Sequence, residues 1–126
     1  MNNIELEKKA KNWLTIKLEN EGWKVITNDN GKKANKGNGY DFKLDKDGQV
    51  RYVEVKVTKK AKFGQRWLEP LTIKAMKTYS NEFYVYLISV RNDEFELKIV
   101  DYDLLQTLDP RADEKVWFKF NRLYKS

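Results

Sequence analysis

The stretch that most restricts the fold is residues 40–58, two alternating runs joined by a tight turn. In Val50-Arg-Tyr-Val53-Glu54-Val55-Lys56-Val57-Thr58, successive side chains of a strand point to opposite faces. Val53, Val55 and Val57 therefore share one face, and Glu54, Lys56 and Thr58 share the other. The first face can pack on a helix. The second sets a carboxylate beside an ammonium on rigid backbone. Lys46-Asp47-Gly48 is a good hairpin turn and predicts strands over 40–45 and 50–58. Pairing 45 with 50 puts Asp41 opposite Glu54, with β carbons ~5 Å apart. Like charges directly opposite are destabilising, so a compensating group is expected, and a divalent cation held by both carboxylates would serve.

The remaining elements follow from periodicity. Leu6, Ala10, Trp13, Leu14 and Leu18, with Ile16 at the margin, recur at spacings of three and four and predict a helix over 3–21. Asn2 or Asn3 can cap its start, and Gly22 suits its end. Residues 23–27 read as a strand. Residues 28–39 form a polar, glycine-containing loop that does not match a phosphate-binding P-loop, and 59–66 form a basic loop. Pro70 opens a second helix at about 71–80 with a stripe of Leu71, Ala75, Met76 and Tyr79. Phe83–Val90 and 95–100 are strands, Asp101 or Asp103 caps a short helix through Leu108, and Val116, Phe118 and Phe120 alternate as a last strand. The order αβββαββαβ predicts one α/β domain over 1–126, a mixed central sheet flanked by helices.

Absent residues narrow the chemistry. With no Cys, disulfides and thiolate–zinc sites are excluded. With no His, so are Ser-His-Asp hydrolysis and imidazole acid–base catalysis. Hydrolysis by this chain must use carboxylates, lysines, hydroxyls and hard metal ions. No apolar run reaches bilayer length, and MNNIELEKK lacks the apolar core of a signal peptide. A cytoplasmic protein with no membrane partner is the expectation.

Charge is unevenly placed. Residues 32–66 hold eleven Lys/Arg and four acids, a local balance of +7, so the rest of the chain sums to −1 within the net +6. Such a segment is either a polyanion surface or a solvated lysine-rich face. Lys32, Lys33 and Lys36 in one loop, and Lys59, Lys60, Lys62 and Arg66 in the other, are the candidate phosphate contacts. Tyr40 and Trp67 flank these loops and are the better base-stacking candidates, whereas Trp13, Trp23 and Trp117 read as core.

Gly-x-Asp, a hairpin, then Glu-x-Lys resembles the PD-(D/E)XK nuclease superfamily, whose fold is restriction-endonuclease-like. Gly39-Tyr-Asp41 running into Tyr52-Val-Glu54-Val-Lys56, and on through Trp67-Leu68 to Phe83-Tyr-Val-Tyr-Leu87, resembles the NO VEIN-type C-terminal domain. The likeness covers residues 4–90. It implies a Mg²⁺- or Mn²⁺-dependent endonuclease acting on nucleic acid, with DNA favoured, and a possible homodimer. Asp41 and Glu54 would hold the metal with the backbone carbonyl of Val55. Lys56 would orient or activate the attacking water. A first-helix acid completes such sites, and Glu7 is the choice here, with Glu5 the alternative. Relatives place that acid nearer the helix end, where this chain has Lys11 and Asn12. Gln65 would contact the scissile region. An inactive module that kept the fold and binds nucleic acid or a protein partner is the alternative function.

Overall fold

A computed structural model describes residues 2–27, 38–108 and 117–124. Helix α1 spans Asn3–Asn20. Asn2 caps it, its Oδ1 accepting from the Glu5 N–H at 2.8 Å. At the other end Trp23 N–H reaches the Leu18 carbonyl and Gly22 N–H that of Glu19, with Gly22 at φ +94. That left-handed turn is cheap only for glycine and closes off the last carbonyls.

Strands β1 (Lys24–Thr27), β2 (Phe42–Lys46), β3 (Gln49–Thr58), β5 (Phe83–Arg91) and β6 (Glu94–Val100) form a five-stranded sheet in the order β1-β2-β3-β5-β6. The β2–β3 pair is antiparallel with Asp45 facing Val50 and Phe42 facing Val53, the register expected from the turn. Asp47 and Gly48 both have positive φ, as a two-residue primed hairpin turn requires. β3 and β5 run parallel, and parallel neighbours need a crossover. It is supplied by β4 (Gln65–Trp67) and helix α2 (Pro70–Tyr79). After β6 come α3 (Tyr102–Leu108), opened by Asp101, whose carboxylate accepts from Leu104 N–H, and β7 (Trp117–Lys119).

The alternation of β3 divides the interior into two layers. Val53, Val55 and Val57 meet Leu6, Ala10, Leu14 and Leu18 of α1 on one face. On the other, Val85 and Leu87 of β5 join Phe63, Leu68, Ala75, Met76, Leu105, Leu108, Phe118 and Phe120. β5 is hydrophobic from Phe83 to Ile88 because that stretch is covered on both sides. No described helix is long and apolar enough to cross a membrane.

Four expectations need correction. The basic segment 59–66 is not all loop: Gln65–Trp67 pairs antiparallel with β7 in a second, two-stranded sheet, so the order gains a strand. Three residues with one inward side chain carry too little alternation to be recognised. Leu71 is exposed and Thr72 is buried in its place, because α2 begins at Pro70 and turns Thr72, Ala75 and Met76 inward. The final strand stops at Lys119, and Phe120–Tyr124 coil into a 3-10 turn; Val116 lies outside the described residues. Tyr40 is less available for base stacking than expected, since its ring sits edge-on to Tyr52 and Tyr79, themselves stacked at 3.6 Å.

Candidate functional site

Where β2 begins, β3 runs on without it, and Asp41 occupies the resulting gap. Its N–H donates to the Val53 carbonyl at 2.8 Å, and its Oδ2 accepts from the Val55 N–H at 2.8 Å. The carboxylate thus replaces the next backbone acceptor of the ladder. A strand residue points its N–H and C=O to the same edge, so the Val55 carbonyl faces the side on which Asp41 lies.

Gly39 explains the spacing of Gly-x-Asp. It has φ +79, and a Cβ there would lie 2.2 Å from the Leu71 carbonyl oxygen. Only glycine lets the chain press on the first turn of α2 and still deliver Asp41 to β3. The result is a hollow of about 240 Å³ lined by Gly39, Tyr40, Asp41, Glu54, Glu69, Leu71 and Thr72.

Two lysines compensate the two carboxylates. Lys56 Nζ lies 3.4 Å from Glu54 Oε2. Lys11, from α1, places its Nζ 3.0 Å from Asp41 Oδ1. The four side chains are only 14–27% exposed, so these are not solvated surface pairs. Burial pushes the Glu54 carboxyl up to about 8, Asp41 adds to the rise, and Lys56 works against it. Burial pulls the Lys11 ammonium down, but Asp41, then Glu7 and Glu54, outweigh this and leave it raised.

Asp41, Glu54, Lys56 and the Val55 backbone therefore come together. Glu7 does not line that hollow. It is exposed and borders a second one, of about 250 Å³, with Asn3, Leu6, Val57, Thr58, Lys59, Lys60 and Arg66. Arg66 donates to the Val57 carbonyl; burial lowers its guanidinium and Glu7 opposes that. Lys62 sits over the Tyr124 ring, Gln65 is exposed on β4, and Trp67 is 44% exposed. Lys32, Lys33 and Lys36 lie outside the described residues.

Sequence reasoning missed Lys11 and Glu69 as neighbours of the carboxylate pair. Lys11 gave no signal beyond its place on the first helix. For Glu69, before Pro70, there was none beyond its charge.

The resemblance implies a divalent cation, and the donors suit one. Asp41, Glu54 and the Val55 carbonyl are hard oxygens, and burial together with crowding of the carboxylates drives Glu54 upward. Mg²⁺ is commonly held by one or two carboxylates, with waters and substrate phosphates completing its shell. Among the described residues no group of three or more acidic side chains is placed to hold a metal ion, so protein carboxylates alone supply two ligands here.

One comparison gives a family. The family described as Protein NO VEIN, C-terminal, has a model that matches residues 6–100, a range holding the whole carboxylate–lysine hollow. Comparisons with curated proteins and with solved structures give no match.

Proposed function

The chain belongs to the NO VEIN C-terminal family, and from that premise we propose that it is a metal-dependent endonuclease hydrolysing phosphodiester bonds, with DNA the favoured substrate. The observation that carries this reading is the hollow where Asp41 and Glu54 meet beside Lys56, two carboxylates and an ammonium on fixed backbone. The Gly-x-Asp and Glu-x-Lys spacing of the PD-(D/E)XK superfamily supports it, as does the absence of any histidine to act as base.

Asp41 and Glu54, with the Val55 carbonyl, would hold Mg²⁺ or Mn²⁺. The cation would supply Lewis-acid polarisation of the phosphate and a more acidic water. Lys56 has three N–H donors and a fixed charge; it orients the attacking water and stabilises charge that builds on the phosphate. The Val55 N–H holds the Asp41 carboxylate in one orientation, so ligand geometry does not depend on side-chain freedom. Lys59, Lys60 and Arg66, lining the neighbouring hollow, and Lys32, Lys33, Lys36 and Lys62 would grip backbone phosphates, contacts that fix position without reading sequence.

The test is incubation with plasmid, linear and single-stranded nucleic acids in Mg²⁺, Mn²⁺ or EDTA. Cleavage should need metal and fall by about 100-fold or more in Lys56→Ala and Asp41→Asn, the usual scale for losing one electrostatic group. Cleavage that persists in EDTA, or in both variants, rules this site out.

A second reading, a catalytically silent module binding nucleic acid or a protein partner, is favoured by the Lys11–Asp41 pair, which already supplies Asp41 with a cation. Nucleic acid bound with strong salt dependence but never cut, in any metal, would establish that reading.

A further inference from the structure

Lys11 stands beside the hollow, and its chemistry runs against metal binding there. Both Asp41 oxygens have partners: the Val55 N–H holds Oδ2 at 2.8 Å, and the Lys11 ammonium holds Oδ1 at 3.0 Å. The first restrains the carboxylate without changing the charge. The second places a positive charge where a metal ligand's counter-ion would lie. We infer that Lys11 is a resident counter-ion that a divalent cation must displace from Asp41, so that this one lysine sets the metal affinity of the site.

The inference rests on the nuclease reading of Asp41 and Glu54. Three features of the fold carry it further. Lys11 follows Ala10 and precedes Leu14 by three residues, both fully buried against the sheet, so its backbone is fixed and only its side chain can leave. The side chain is 27% exposed, which leaves a way out. One turn earlier on the same helix the exposed Glu7 acts on the Lys11 charge and offers a displaced ammonium a second carboxylate at the favourable four-residue spacing. A cation at Asp41 and an ammonium at the same oxygen repel each other, so occupancy by one opposes occupancy by the other.

The experiment is calorimetric titration of EDTA-stripped protein with Mn²⁺ alone, without nucleic acid, on wild type, Lys11→Met and Lys11→Arg. Methionine keeps the aliphatic stem and removes the charge; Lys11→Gln replaces it if the first variant does not melt cooperatively. Lys11→Met should bind Mn²⁺ about tenfold tighter or more, the scale of a unit charge a few ångströms away at a half-buried site. Lys11→Arg should stay close to wild type. Equal affinity in wild type and Lys11→Met overturns the inference and leaves the nuclease reading standing. Tightening in Lys11→Arg as large as in Lys11→Met overturns it too, since charge would then not be the cause. Saturable binding in none of the variants overturns both.

Discussion

Replacing Glu54 by Gln in metal-free protein should stabilise it near neutral pH, although it removes one partner of an ion pair. A buried carboxyl raised from 4.5 to about 8 keeps its proton in the folded state while the unfolded chain loses its own. The raised folded value means that the stabilising contribution is complete below about pH 4.5 and is lost as pH rises toward 8. At pH 7 the unfolded group lies about two and a half units past its pKa, at about 1.4 kcal/mol per unit, so the cost is about 3 kcal/mol. Glutamine resembles the protonated acid: its amide N–H₂ can donate to Asp41 and its oxygen can accept from Lys56. In EDTA, thermal unfolding from about pH 5 to 8 should show wild-type stability falling by that amount, roughly 10 °C in Tm for a chain of this size. The variant should lack this fall and melt higher at about pH 7.5. If Glu54 instead serves mainly as a charged partner of Lys56, the substitution lowers Tm there and wild type is flat or rising across the range. That result would refute the reasoning.

Gly39→Ala should cost about 2–4 kcal/mol, since it combines a left-handed backbone with a clash against the Leu71 carbonyl that cannot relax; urea unfolding measures it. Leu14→Ala should cost about 3 kcal/mol because Leu14 is fully buried, whereas Ile16→Ala, at a residue 61% exposed, should stay within about 0.5 kcal/mol of wild type. Both are read from denaturant midpoints at unchanged slope. Neutralising Lys32, Lys33 and Lys36 should weaken binding to all nucleic-acid sequences alike and flatten the salt dependence by about one unit of slope for each phosphate no longer neutralised. Fluorescence anisotropy between roughly 50 and 300 mM salt checks this, and a slope that ignores the three lysines counts against the loop as a phosphate grip.

What was legible in the sequence was whatever repeats locally. Leu6, Ala10, Leu14 and Leu18 announce α1 because burial on one side forces the helical spacing. The Asp47-Gly48 turn fixes the β2–β3 register, since shifting it by one would turn Val53, Val55 and Val57 away from α1. That register stops at Phe42 and Val53, so Asp41 is not the direct cross-strand partner of Glu54 that the turn predicts; its N–H meets the Val53 carbonyl and its carboxylate the Val55 N–H. Lys11 at Asp41 was not legible, because it depends on the angle at which α1 crosses the sheet, and no repeat in the chain encodes that angle. Glu69 and β4 depend likewise on the crossover between β3 and β5. Both belong to contacts between elements far apart in sequence.

The family likeness ends at Val100, but the hydrophobic interior does not. Leu105, Leu108, Phe118 and Phe120 belong to the same cluster as Phe63, Leu68, Val85 and Leu87, and the Tyr124 hydroxyl accepts from the Phe63 N–H. The end of the family match therefore falls within one hydrophobic cluster. β7 closes over β4, the segment that leads from the lysine strand into α2. A lineage that changed this tail would have to refit the layer beneath α2. Conversely, grafting residues 6–100 onto another protein would carry the carboxylates and lysines across but leave Phe63, Leu68, Val85 and Leu87 without the apolar partners that the tail supplies.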